Sequence, residues 1–167
     1  MPPDAARFAK LRRMAFFTEF EDVDLWEVMR ICAWRKVDPE VALMREGDGD
    51  QKFGIVLEGR VELSIEGRRV LELGPGEVFG VQAWLDHVEH RHMLTVVSLD
   101  ELSYLEVNPA ALALASEEVL ERFRRQISTV VVRRLAAVSR QLAAHAPPAL
   151  RPQRAAPTSF DMQLLDD

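Results

Sequence analysis

The sequence has little of what several protein classes require. Cys32 is its only cysteine, which excludes an internal disulfide and fits a reducing compartment best. No apolar run approaches the roughly 20 residues needed to cross a bilayer, so we expect no membrane-spanning helix. The opening residues, Met1 to Asp4, lack the basic and apolar stretches of a secretory signal. These absences predict a soluble, cytoplasmic protein with no membrane partner.

Basic residues are too few for a nucleic-acid-binding surface. The 167 residues include 21 lysines and arginines against 27 aspartates and glutamates, a formal net charge of −6. A surface with this charge repels the phosphates of nucleic acid. We therefore expect no nucleic-acid partner.

Catalytic motifs are missing as well. The chain has no nucleophile elbow, no P-loop and no helical zinc motif of paired histidines. The segment Gly74-Pro75-Gly76 lacks the lysine that follows in a P-loop, and it predicts a corner between strands instead. The sequence therefore predicts a protein that is not an enzyme and carries no cofactor.

What is present divides the chain into four zones that predict one domain. Residues 1–31 are predicted as N-terminal helices, with Asp22 or Asp24 capping the second one. Residues 32–108 alternate polar and apolar side chains in short runs separated by glycines, and predicted strands include 52–57, 92–97 and 102–107. Residues 109–145 are predicted as C-terminal helices, and residues 146–167, with four prolines, as a disordered tail. The predicted fold class is α+β: an antiparallel, jelly-roll-like β-roll with N-terminal helices and a long C-terminal helix.

The C-terminal helices have clear boundaries. Asn108 is a predicted N-cap with Pro109 at the first helical position, and a long helix is predicted from Ser116 to about His145. Its apolar positions recur every three or four residues and predict one continuous stripe. The stripe consists of Leu120, Phe123, Ile127, Val131, Leu135, Val138 and Leu142.

Three motifs in a fixed order resemble one family. They are Glu46-Gly47-Asp48, the run from Phe53 to Val61, and the run from Leu73 to Gly80. Their order and spacing, over roughly residues 12–145, resemble the cyclic nucleotide-binding domain of catabolite activator proteins and kinase A regulatory subunits. The resemblance implies a phosphate-binding cassette at residues 79–96. In such a cassette backbone N–H groups and an arginine hold the cyclic phosphate, and a glutamate accepts a hydrogen bond from the ribose.

The cassette departs from the family pattern at two places. The chain keeps Phe79, Gly80 and Ala83, but Val81 stands where the family has its glutamate, and the nearby alternative acceptors are Gln82 and Glu89. Counting back from the next strand places His92 at the arginine position, whereas a slip of one residue would place Arg91 there. Losing one charge-assisted hydrogen bond costs about 1.5–3 kcal/mol, or one to two decades of affinity.

Two functions follow from this resemblance. The first is a regulatory or signalling module in which cyclic nucleotide binding has been lost or altered. The alternative is a working receptor for cyclic AMP or cyclic GMP that signals through the C-terminal helix. The valine at position 81 favours the first.

The histidines near the cassette raise the question of a metal site. His90 and His92 would share one face of a strand, which suits a divalent metal. The alternative is a solvated loop with a charged entrance to the strand. Because no cysteine or second histidine group completes a ligand set, we predict no metal.

Two further segments suggest partners. The stretch from Val132 to Leu135 resembles the family's dimer helix, so we predict a homodimer through residues 117–145, with Ser139 near the base bound by the opposite subunit. The alternative is a stripe that packs only on its own roll. Residues 158–167 mix apolar and acidic side chains. They are a docking segment for a protein partner, a frayed terminus, or a segment that docks over the cassette of its own chain. The sequence after the long helix is too short for the DNA-binding module of related transcription factors.

Overall fold

The computed structural model describes residues 3–85 and 91–147. One unit extends to Arg133, and a second unit begins at Arg134. The helices within the described ranges are α1 (Pro3–Arg13), α2 (Asp22–Ile31), α3 (Val81–Leu85), α4 (Pro109–Leu112) and α5 (Glu117–His145), and a 3-10 turn covers Ala15–Phe17.

The strands form two antiparallel sheets, which confirms the predicted α+β fold with its β-roll and long C-terminal helix. The strands are β1 (Cys32–Val37), β2 (Ala42–Met44), β3 (Phe53–Glu58), β4 (Val61–Ile65), β5 (Arg68–Leu73), β6 (Val78–Phe79), β7 (Thr95–Ser98) and β8 (Leu102–Val107). The first sheet has the order β1-β8-β3-β6 and the second the order β2-β7-β4-β5.

The central strand β3 is buried from Phe53 to Leu57, because it contributes to two cores. Phe53, Ile55 and Leu57 belong to a core on the helical side of the sheet, whereas Val56 belongs to a second core. The second core takes members from both sheets, with Val56 from the first sheet and Leu63 and Val96 from the second. A continuous apolar run is what a strand covered on both faces requires.

The helical-side core joins the start of the chain to the start of α5. Phe16, Phe17 and Phe20 pack around Phe123 with ring centroids 5.4–6.4 Å apart, and all four side chains are buried. A polar contact at the edge of this core also joins α2 to the residue that precedes α5. The Ser116 hydroxyl donates a hydrogen bond to Glu27, which lowers the pKa of that carboxyl.

The structure corrects two local predictions. The strand predicted at 92–97 begins only at Thr95, because the backbone of His92 pairs with the loop at Gly47 and Asp48 and not with a strand. The N-cap of α2 is Glu21 rather than Asp22 or Asp24. Asp24 acts from inside the helix, where its carboxylate accepts a 2.7 Å hydrogen bond from the Glu21 N–H.

The C-terminal helices begin as predicted. The Asn108 side chain accepts a hydrogen bond from the Ala110 N–H at 2.9 Å, with Pro109 at the first helical position. Within the described ranges, none of the helices combines the length and apolar character that a membrane crossing demands.

Candidate functional site

The turn from β6 into α3 places the cassette and depends on Gly80. Its φ is +78°, in the left-handed region that favours glycine. A Cβ atom added there would lie 2.5 Å from Met44 Sδ and 3.1 Å from the Lys52 carbonyl oxygen. Only glycine allows the chain to turn this close to β2 and begin α3 at Val81.

Phe79 anchors the cassette to the first sheet. Its ring is buried, and its centroid lies 5.4 Å from that of Tyr104. Opposite it, a Cβ added to Gly54 would come within 2.1 Å of Phe79 Cζ, so the strand leaves room for the ring only by having no side chain. Burial raises the pKa of the Tyr104 hydroxyl, which leaves it protonated at neutral pH.

The side chains of α3 that face the protein interior are apolar. Val81 is 1% exposed and belongs to the helical-side core, and Ala83 is fully buried. The Trp84 indole stacks on Phe53 with centroids 5.2 Å apart, while Gln82 is half-buried. Position 81 therefore offers only methyl groups, packed in the core.

The side chains of His92 and Arg91 differ in burial. His92 is 4% exposed; its N–H donates to the Asp48 carbonyl at 2.9 Å and its own carbonyl accepts from the Gly47 N–H at 2.8 Å. Arg91 is exposed, and its guanidinium donates to the Gly47 carbonyl at 2.9 Å. Of the two candidates for the phosphate-contact position, His92 is the buried one.

The imidazole of His92 holds a polar atom without a protein partner. Its Nε2 is buried and makes no hydrogen bond to any residue of ranges 3–85 and 91–147. A buried polar atom left unpaired costs about 1–3 kcal/mol, so such atoms are commonly matched by a ligand or water. This atom is a candidate contact for a bound ligand.

The remaining predicted residues are not all placed at this site. Glu89 and His90 lie outside the described residues, as do residues 148–167 of the predicted tail with the partner segment 158–167. Ser139 is exposed on the part of α5 that belongs to the second unit. Within ranges 3–85 and 91–147, no three histidine, cysteine or acidic side chains group as metal ligands would.

Three residues that shape the cassette were missed by the sequence analysis: Met44, Gly54 and Tyr104. Only Gly54 gave a signal, since an isolated glycine inside an apolar strand indicates close approach of another group. Cys32, the lone thiol, is buried, and desolvation raises its pKa to about 12, which favours the protonated thiol at neutral pH.

Comparisons with known proteins agree with this geometry. The family model "Cyclic nucleotide-binding domain" matches residues 34–117, half of the chain. A comparison with curated proteins found no match.

Solved structures with this fold include a putative cyclic nucleotide-binding protein from Geobacter metallireducens. It is 21% identical with a TM-score of 0.65, and the alignment covers 81% of this chain and 98% of that one. The regulatory domain of Toxoplasma gondii PKA, crystallised with cAMP, is 26% identical with a TM-score of 0.55, covering 69% of this chain and 45% of that one.

A c-di-GMP responsive global regulator from Xanthomonas campestris is 14% identical with a TM-score of 0.64. The alignment covers 74% of this chain and 63% of that one.

Proposed function

Because the chain belongs to the cyclic nucleotide-binding domain family, we propose that it is a non-enzymatic regulatory module in which binding of cyclic AMP or cyclic GMP has been lost or altered. The observation that carries this proposal is the pair of substitutions in the cassette. Val81 stands where the resembled family has its ribose acceptor and is packed in the core. Counting back from β7 places the buried His92, rather than Arg91, at the arginine position. An imidazole lacks the permanent charge and the paired donors with which a guanidinium binds a phosphate.

The cassette nevertheless keeps the features that shape a ligand site. Phe79 and Gly80 hold α3 against the roll, and His92 Nε2 remains a buried polar atom without a partner among the described residues. These features support altered binding over complete loss. The c-di-GMP responsive relative suggests one alternative ligand class.

We expect the purified protein to bind cyclic AMP and cyclic GMP with dissociation constants weaker than about 10 μM. Each missing charge-assisted hydrogen bond costs one to two decades of affinity, and two are affected. Isothermal titration with cyclic AMP, cyclic GMP and cyclic di-GMP measures this directly. Sub-micromolar binding of cyclic AMP or cyclic GMP would instead establish the alternative, a working receptor.

We also propose that the protein is a homodimer through α5. Val132, Leu135 and Leu142 are between 64% and 68% exposed, an apolar stripe on a helix otherwise rich in charge. Apolar side chains at spacings of three and seven residues are typical of a helix-pairing seam. Pairing through this seam would place α5 of two copies side by side.

We expect Leu135→Glu combined with Leu142→Glu to convert a dimer to a monomer in light scattering, because buried like charges oppose helix pairing. The matched control is Ala137→Glu with Ala144→Glu, which adds the same charges at the same spacing on the opposite face of the helix, where both alanines are exposed. The control should remain dimeric. A wild-type protein that is monomeric at high micromolar concentration contradicts the proposal.

A further inference from the structure

A groove runs between α1 and the helical side of the first sheet, away from the cassette. It consists of three adjoining hollows of about 540, 390 and 250 Å³. The first two share Ala6 and Lys10, and the last two share Lys36, Glu58 and Ser103. The groove is therefore elongated, following α1 and then crossing the ends of the strands.

Its charge is opposite in sign to that of the protein. Four cations line the groove against two carboxylates, although the whole chain carries a formal charge of −6. The cations are Arg7, Lys10, Arg13 and Lys36, and the carboxylates are Glu58 and Glu101. Of the cations, Arg13 and Lys36 are exposed and form no ion pair within the part of the chain that the structure describes.

The floor of the groove is an ordered row of polar groups. Ser103 of β8 lies opposite Lys36 of β1 and opposite Glu58 of β3, so the three residues cross the sheet in register. Lys10 of α1 donates a hydrogen bond to Glu58, and this bond, with the field of Lys36, holds the pKa of Glu58 below its usual value. The Glu58 charge is thereby offset, and Lys36 remains available to an incoming anion.

An indole ring provides the apolar part of the floor. Trp34 Nε1 donates a 2.9 Å hydrogen bond to the buried Ser103 hydroxyl, which fixes the ring. The Arg7 guanidinium lies 5.4 Å from the ring centroid as a cation–π pair, and 3.8 Å from an Asp4 carboxylate oxygen. Met14 and Leu57 line the other end of the groove.

We propose that this groove binds an acidic peptide segment of a partner protein, in which carboxylates alternate with apolar side chains. Carboxylates of such a segment meet Arg7, Arg13 and Lys36, and its apolar side chains lie on Trp34 and Met14. A nucleic acid fits less well, because Glu58 and Glu101 would face its continuous phosphate charge. Preorganised aromatic and arginine anchors are typical of peptide-binding surfaces.

The test uses an acetylated, amidated peptide of alternating aspartate and leucine, with a lysine–leucine peptide as its charge-reversed counterpart. In ¹⁵N NMR spectra the indole signal of Trp34, assigned with Trp34→Phe, should shift on addition of the acidic peptide only. The indole signals of Trp26 and Trp84 serve as internal references. Added salt should weaken the binding, since the contacts are exposed ion pairs.

Charge reversal at the two exposed cations, Arg13→Glu with Lys36→Glu, should weaken binding of the acidic peptide at least tenfold. Arg68→Glu with Arg124→Glu is the matched control, because these exposed cations lie outside the groove and the net charge changes equally. The control should weaken binding less than twofold, and circular dichroism should be unchanged in both.

Three outcomes would overturn the proposal. They are an unshifted Trp34 signal, an equal loss of affinity in the control variant, and binding of phosphatidylserine vesicles but not of the peptide.

Discussion

Replacing His92 by arginine is expected to raise the affinity for cyclic AMP by about 10- to 100-fold. Counting back from β7 places the buried His92 at the position of the family's phosphate-binding arginine, and its Nε2 has no partner within the described ranges. A guanidinium there brings a permanent positive charge and paired donors to the cyclic phosphate. Titration calorimetry of the variant against the wild-type protein measures the change.

Arg91→Ala is the control for this substitution. Because Arg91 is exposed and its guanidinium donates to the Gly47 carbonyl, its loss should change the affinity for cyclic AMP less than twofold. An arginine at position 92 is larger than histidine and charged, so the ligand-free variant should melt below the wild-type protein. Cyclic AMP should restore its melting temperature by mass action. If Arg91→Ala abolishes binding and His92→Arg does not improve it, the assignment of the phosphate contact is wrong.

Phe123→Ala should lower the free energy of unfolding by about 3–5 kcal/mol. Phe123 is fully buried, and Phe16, Phe17 and Phe20 pack around its ring, so truncation leaves a cavity lined by three rings from another part of the chain. A domain of this size has a total stability of only about 5–15 kcal/mol. Urea unfolding followed by circular dichroism measures the loss.

Leu114→Ala is the matched control, since Leu114 is 88% exposed and its truncation should cost less than about 0.5 kcal/mol. Phe123→Leu should fall between the two, because leucine refills part of the space. A loss below about 1 kcal/mol for Phe123→Ala would mean that the aromatic cluster does not hold α5 in place.

Local chemistry made much of the fold predictable. Strand β8 occupies residues 102–107, as its sequence predicts, and Asn108 with Pro109 begins α4. These elements depend on signals within a few residues, namely a run of β-forming side chains and a capping side chain. The long α5 helix is predictable from a different signal, an apolar stripe that recurs every three or four residues over many turns.

The details of the cassette could not be predicted in this way. A strand has a period of two, and counting along it assigns each side chain to a face, but residues 91–94 do not form a strand. The inward position of His92 follows from its pairing with Gly47 and Asp48, residues more than forty positions away. Gly54 and Phe79, whose contact also shapes the cassette, are 25 positions apart in the sequence.

The groove beside α1 was missed for a related reason. Arg7, Lys10 and Arg13 recur every three residues on α1, which suggests an ordinary solvated face of a helix. Only the folded structure places this face of α1 beside Trp34 of β1 and Ser103 of β8. Sequence periodicity indicates which residues share a face but not what lies opposite it.

The pairing of the two ends of the roll has a consequence for synthesis of the chain on the ribosome. Strand β1 pairs with β8, with Cys32 opposite Val107. The phenylalanines at 16, 17 and 20 pack against Phe123, which is synthesised about a hundred residues later. At translation rates of about 5–20 residues per second, the N-terminal segment is without these partners for about 5–20 seconds. During that interval these aromatic side chains lack Phe123 and have only one another as native ring partners, which makes them suitable sites for chaperone binding. The domain completes its core only once α5 leaves the ribosomal exit tunnel, so a nascent chain stalled before residue 123 should remain protease-sensitive.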